Sequence, residues 1–168
     1  TTFESEYRCD YAYHAQMEPL NALASVSPTG DSAEIWCGTQ SQTMAVDATA
    51  NALGIPVNKV ILHDMLMGGG LGRRGNRDQE FVVDAVLLSK EVKRPVKVMW
   101  TREDDVHSGR FRPQSVHILR AGFDPAGQMT AWHHRYVTDN AGIFQDPFKY
   151  NGAWKKRAML RRHSVVAK

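Results

Sequence analysis

The stretch Met67–Asn76, MGGGLGRRGN, sets four glycines in the five positions 68–72 between an apolar run, VILHDML, and a helix-like run, DQEFVVDAVLLSKEV. Glycine serves where the backbone needs positive φ or where another group must touch it. A strand, a closely approached turn and a helix are therefore expected here. Gly70, Gly72 and Gly75 also meet the GxGxxG spacing of a dinucleotide-binding turn. Backbone N–H groups at the positive end of a helix dipole suit an anion. Arg73 and Arg74 add guanidinium forks that can hold a phosphate bidentately. Taken alone, these residues leave two readings open: a phosphorylated ligand on the loop, or a turn whose glycines let strand and helix pack closely.

Around the loop, residues 7–26 alternate like strands on either side of the insert HAQMEPLNA, PTGD (28–31) reads as a turn, and AEIWCGT (33–39) as the returning strand of a hairpin. Apolar spacing then becomes helical over about 41–53, with Ser41 as N-cap and Gly54 and Pro56 as the stop. VNKVILHDML is a buried strand, and a second helix spans about 78–92, ended by Arg94-Pro95. PVKVMWT is another strand, and two long strands meet at a tight turn over Asp124–Gly127. The order β-β-β-α-β-α-β-β-β predicts an α+β fold with a mixed sheet, hairpins and two main helices. A dinucleotide-binding domain opens with its strand and glycine turn, whereas here three strands and a helix precede it.

At 168 residues and 42% hydrophobic, the chain suits one ordinary core. No run approaches the ~18 apolar residues of a membrane span, and TTFESEYRCDY lacks the order of a signal peptide. Cys9 and Cys37 are too few for a Cys-rich metal site and are expected to be buried small hydrophobes. Seven histidines are scattered without HxxxH spacing, those at 133 and 134 facing opposite sides of a strand, and no GxSxG elbow is present. Seven Lys or Arg and no acid follow Asp146, leaving 14 basic against 18 acidic residues before it. The expected division is thus a body over 1–147 and a basic tail over 148–168, the tail carrying too little apolar pattern to order itself.

Five stretches, HAQMEPLNA (14–22), IWCGTQSQ (35–42), HDMLMGGGLGRRGNRD (63–78), PVKVMWTREDD (95–105) and AGFDPAGQMTAWHHR (121–135), resemble in order and spacing the molybdenum-binding large subunit of the xanthine oxidase family. The likeness is to its isoquinoline 1-oxidoreductase beta-subunit and aldehyde oxidoreductase branch. The resemblance implies that residues 1–147 are part of a molybdopterin-binding domain whose glycine turn, Gly69, Gly70, Leu71 and Gly72 with Arg73 and Arg74, lies against a molybdopterin cytosine dinucleotide. It implies that the molybdenum is held by pterin sulfurs rather than side chains. Gln40 matches the glutamine that orients the metal centre, and His14, Met17, Glu18 and Pro19 match a stretch that supports the site. Leu71 replaces the family phenylalanine, and Gly75 stands where the xanthine-specific branch has a substrate-orienting glutamate, which argues against a purine.

The implied activity is oxidative hydroxylation of an N-heterocycle or an aldehyde, with electrons leaving through iron-sulfur clusters on a small partner subunit. The resemblance also implies a general base in the rest of the large subunit, so the chain alone is expected to be inactive. Neither nucleic acid nor a membrane span is implied. Gly70→Val is expected to abolish cofactor retention, and Arg74→Ala only to weaken it. Two other readings remain at this point: a nicotinamide or flavin dinucleotide-binding domain, and a non-catalytic interaction module working through the basic tail.

Overall fold

The computed structural model describes residues 1–138 and, as backbone only, 160–165. In chain order the elements are β1 (Thr2–Cys9), β2 (Ala12–Tyr13), β3 (Asn21–Val26), β4 (Ala33–Cys37), α1 (Gln42–Leu53), β5 (Val60–Asp64), α2 (Glu80–Val92), β6 (Val96–Met99), α3 (Arg102–His107), β7 (Phe111–Arg112), β8 (Ser115–Phe123), β9 (Met129–Thr138) and β10 (Leu160–Val165), with 3-10 turns at Val57–Lys59 and Arg73–Gly75. Apart from the β10 backbone, the tail over 148–168 lies outside the described residues.

Two compact units make up the chain, one of them the continuous segment Tyr13–Arg110. Its sheet has the order β5-β4-β3-β6. The β3/β4 and β3/β6 pairs are antiparallel, and β4/β5 is parallel. A parallel neighbour needs a crossover, and α1 supplies it between β4 and β5. This is the mixed sheet of an α+β fold. Alternation along β3 and β4 turns Ala22, Ala24, Val26, Ala33, Ile35 and Cys37 inward, where they meet Ala45, Ala50 and Leu53 of α1 and Phe81, Val82, Ala85 and Val86 of α2. Small side chains on both layers let the helices lie close to the sheet.

Helix α1 ends where the sequence places its stop: Gly54 is left-handed, φ 70°, and its N–H bonds back to the Ala50 and Asn51 carbonyls. A Cβ at Gly54 would meet nothing within 4 Å, so φ alone calls for glycine there. Helix α2 starts at Glu80, two residues later than periodicity suggests, because buried Gln79 is itself left-handed, φ 42°. Its side-chain amide donates to the Arg74 and Asn76 carbonyls and accepts from Thr39 Oγ1. The strand expected over VNKVILHDML is shorter, since Val57–Lys59 form a 3-10 turn and pairing stops at Asp64. At six residues α3 is too short for apolar periodicity to mark it. Its signal is the capping box Thr101–Asp104, in which Thr101 Oγ1 accepts from the Asp104 N–H and the Asp104 carboxylate accepts from the Thr101 N–H.

The other unit joins the two ends of the chain, Thr1–Ala12 and Phe111–Lys168. Its antiparallel sheet has the order β1-β8-β9-β10. The β8/β9 hairpin turns where expected, with Gly127 at φ 81° and Asp124 Oδ1 accepting from the Ala126 and Gln128 N–H groups. His117 meets His134 across this sheet, His117 Nδ1 to His134 Nε2 at 2.9 Å. Among the described residues no group of three or more His, Cys, Asp or Glu side chains is placed to hold a metal ion. Also among them, no helix is long and apolar enough to cross a membrane.

Candidate functional site

What approaches the glycine loop closely is other parts of the same unit. A Cβ on Gly68 would sit 2.5 Å from Glu18 Cβ, one on Gly70 would sit 2.6 Å from Gln40 Oε1, and one on Gly72 would sit 3.2 Å from the His14 ring. Gly69 lies nearest to Met17 and Gln16. The HAQMEP segment therefore runs along the loop, and two hydrogen bonds fasten it: Glu18 N–H to Gly68 O at 3.0 Å, and Gly68 N–H to the Glu18 carboxylate at 2.7 Å. Gln40 closes the other end, its Oε1 accepting from Gly72 N–H at 2.9 Å and Arg74 N–H at 3.2 Å. Gly69, Leu71 and Gly72 all have positive φ, at 98°, 52° and 103°. Leucine rarely adopts that region, at a cost of about 1–3 kcal/mol.

Arg73 and Arg74 lie behind the loop, both fully buried. Arg74 donates to Gly38 O, Glu18 O, Pro19 O and the Glu18 carboxylate, and lies over the Phe81 ring. Arg73 donates to Asp105 Oδ1 at 3.1 Å and Glu80 Oε1 at 2.9 Å, and lies over Trp100. The guanidinium forks that the sequence offers to a phosphate are thus spent on the protein's own carboxylates and carbonyls. Nor does the loop open directly into a helix. The Arg73–Gly75 turn and residues 76–79 separate it from α2, so the strand-turn-helix of a dinucleotide site is not formed.

Asp105, a residue the motif reading did not single out, is the hub of this network. Fully buried on α3, it accepts from Arg73, from the Tyr13 hydroxyl, from Gln16 Nε2 and from Arg102. Burial and the Asp105 carboxylate push the Tyr13 hydroxyl pKa up, which keeps it a donor. Arg102 also donates to Tyr13 and to Met17 O. The one available signal was the run TREDD, whose third acid lies one turn past the cap.

With its back fastened, the loop keeps a small set of unused donors. Neither the Gly69 nor the Gly70 N–H has a partner among the described residues, and the Gln40 amide nitrogen also lacks one. Around them Met17, Met65, Leu66 and Leu71 are exposed, Leu66 at 97%. Beside the loop a cavity of about 480 Å³ lies among Glu18, Trp36, Met65, Leu66 and Lys97. Cys37 also lines it, and burial next to Asp64 pushes its thiol up to about 11, so it stays an inert thiol. Cys9, by contrast with the sequence expectation, is exposed, because β1 is exposed along its whole length. Donors without acceptors suit an acceptor-rich, anionic group.

Burial raises the Glu18 pKa, but the Gly68 N–H, the Asn21 amide and Arg74 together outweigh it and hold the carboxyl below its ordinary 4.5. The stabilisation this gives is fully present above the unfolded value and is lost as pH falls through the lower folded value. Glu18→Gln is therefore expected to melt below the native chain at neutral pH, with the gap closing well below pH 4.5. Melting curves across that range test it, and a gap independent of pH would remove Glu18 from the anchoring.

The family model of the molybdopterin cofactor-binding domain matches residues 1–159. The isoquinoline 1-oxidoreductase subunit beta of Brevundimonas diminuta is 41% identical over 137 residues, 80% of this chain and 17% of that protein. A membrane-bound aldehyde dehydrogenase of Gluconacetobacter polyoxogenes, whose name carries pyrroloquinoline quinone, is 36% identical over 154 residues, 90% of this chain and 19% of its own length. The chain thus spans less than a fifth of these relatives. Among solved structures, quinoline 2-oxidoreductase from Pseudomonas putida 86 superposes with a TM-score of 0.66 at 23% identity, over 83% of this chain and 18% of that one. That likeness concerns the fold.

Proposed function

The chain belongs to the molybdopterin cofactor-binding domain family, and from that premise we propose that its glycine loop and Gln40 form one wall of a molybdenum cofactor site in a longer oxidoreductase. The observation that carries this reading is the trio of donors without a partner among the described residues, the N–H groups of Gly69 and Gly70 and the Gln40 amide, on a loop fastened from behind. A cofactor rich in phosphate and oxo acceptors fits such a rim. The bound cofactor would supply the two-electron redox chemistry, while the chain's residues bind and orient it. Leu71 would meet it with an aliphatic surface, while Arg73 and Arg74 act through the loop they anchor.

The cofactor form we favour is molybdopterin cytosine dinucleotide. The favoured reaction is hydroxylation of an N-heterocycle or an aldehyde, with iron-sulfur clusters on a small partner subunit taking the electrons. The isoquinoline and aldehyde relatives support that substrate class, as does glycine at position 75. One relative's name supports a second reading, a pyrroloquinoline quinone, and a single analysis separates the two. The parent enzyme is purified, its molybdenum measured, and its cofactor released and oxidised. About one molybdenum per subunit with a fluorescent pterin and a cytidine nucleotide is the expected result. A quinone without pterin or molybdenum would replace this reading with the other.

A further inference from the structure

The orientation of Gln40 is fixed, and the cause lies within the chain. Oε1 receives two N–H groups, from Gly72 at 2.9 Å and Arg74 at 3.2 Å, which fills both lone pairs of an amide oxygen. The backbone N–H of Gln40 in turn donates to Arg74 O at 3.2 Å. Turning the amide over would set its NH2 against two donors, so the nitrogen is held away from them. Gly70 completes the fit: a Cβ there would lie 2.6 Å from Oε1, 2.7 Å from Cδ and 3.0 Å from Cγ of Gln40, so the space glycine leaves is filled by this side chain. The same contacts bracket Leu71, whose φ of 52° a leucine keeps only when its surroundings impose it.

We infer that Gln40 is the pin of the glycine loop: its carbonyl oxygen holds Gly72 and Arg74 in place, and that bond decides that only the amide's donors are left to face a ligand. Gln40 is in this respect a positioning residue, and Gly70 is glycine in order to receive it. The pin itself needs no cofactor. Its consequence for a ligand, a donor-only contact from Gln40, rests on the function proposed above.

Amide hydrogen exchange of the chain, labelled with ¹⁵N and read at Gly72 and Arg74, tests the pin without any cofactor. Gln40→Met keeps the length of the side chain and removes the acceptor; both amides are expected to exchange at least tenfold faster. Gln40→Glu keeps an acceptor at the same reach, so both are expected to stay as protected as in the native chain. Gly70→Ala, which pushes the Gln40 side chain out, is expected to behave like Gln40→Met. The buried α2 amides of Val82 and Val86 serve as the control that the fold persists. Unchanged protection in Gln40→Met, or lost protection in Gln40→Glu with α2 intact, overturns the pin. Cofactor content of Gln40→Glu in the parent enzyme is the separate test of the ligand: protected amides with normal molybdenum would leave the pin standing and remove the donor contact.

Discussion

Asp105→Ala is expected to destabilise the unit Tyr13–Arg110 by about 3–5 kcal/mol, the range for breaking one side of a buried ion pair. The carboxylate is inaccessible to solvent, and so is the Arg73 guanidinium that it faces. Among the described residues Arg73 Nη2 has no partner, so without Asp105 the charge would rest on Glu80. Tyr13 and Gln16 would lose their acceptor at the same time. Asp105→Asn keeps the volume and one acceptor oxygen but turns an NH2 toward existing donors, so a smaller loss is expected. Urea unfolding followed through Trp100, which lies against Arg73, measures both. A loss below about 1 kcal/mol for the alanine variant would mean that water reaches Arg73, and the hub would have to be abandoned.

Arg74→Ala comes next, with an expected loss again of about 3–5 kcal/mol. Truncation strands the carbonyls of Gly38 and Glu18, leaves the Pro19 carbonyl and the Glu18 carboxylate to Asn21 and the Gly68 N–H, and empties the space over Phe81. This is larger than a contact to a ligand would give, because the arginine joins three segments of the chain to one another. Arg74→Lys should recover less than half, since one ammonium cannot copy a planar fork that spans acceptors on both β4's end and the HAQMEP segment. Denaturation midpoints rank the three proteins, and limited proteolysis within 66–72 reports whether the loop has come free. Near-native stability of the lysine variant would show that charge alone matters at this position.

Periodicity exposed the elements whose patterns are local. Ala22, Ala24 and Val26 alternate inward along β3, Gly54 closes α1, and Asp124–Gly127 turns the β8/β9 hairpin. The short helix α3 escaped, having six residues and a cap as its one mark. The arginines were misleading for a different reason. A charged side chain reads as exposed or ligand-facing unless its partner is in view, and the partners lie far along the chain, Glu18 at 56 positions from Arg74 and Asp105 at 32 from Arg73. The same distance hid what touches the loop. Four glycines announce a close approach, but no local rule names His14, Glu18 and Gln40 as the residues that make it.

The way the chain is parcelled between the two units bears on how it is made. Tyr13–Arg110 is unbroken, and the His14 ring bonds the Arg110 carbonyl at 2.8 Å, so its two ends meet. Such a segment needs no strand from farther along the chain to complete its four-stranded sheet. β1 is in the opposite position: Thr2 pairs with Gly122 and Cys9 with Ser115. At roughly 5–20 residues per second, β8 is synthesised about 5–25 s after β1, which until then lacks this neighbour. The alternation in β1 of Glu4, Glu6 and Arg8 with Phe3, Ser5 and Tyr7 sets charges along one side of that strand, and such charges discourage a waiting strand from pairing with its neighbour on the next ribosome.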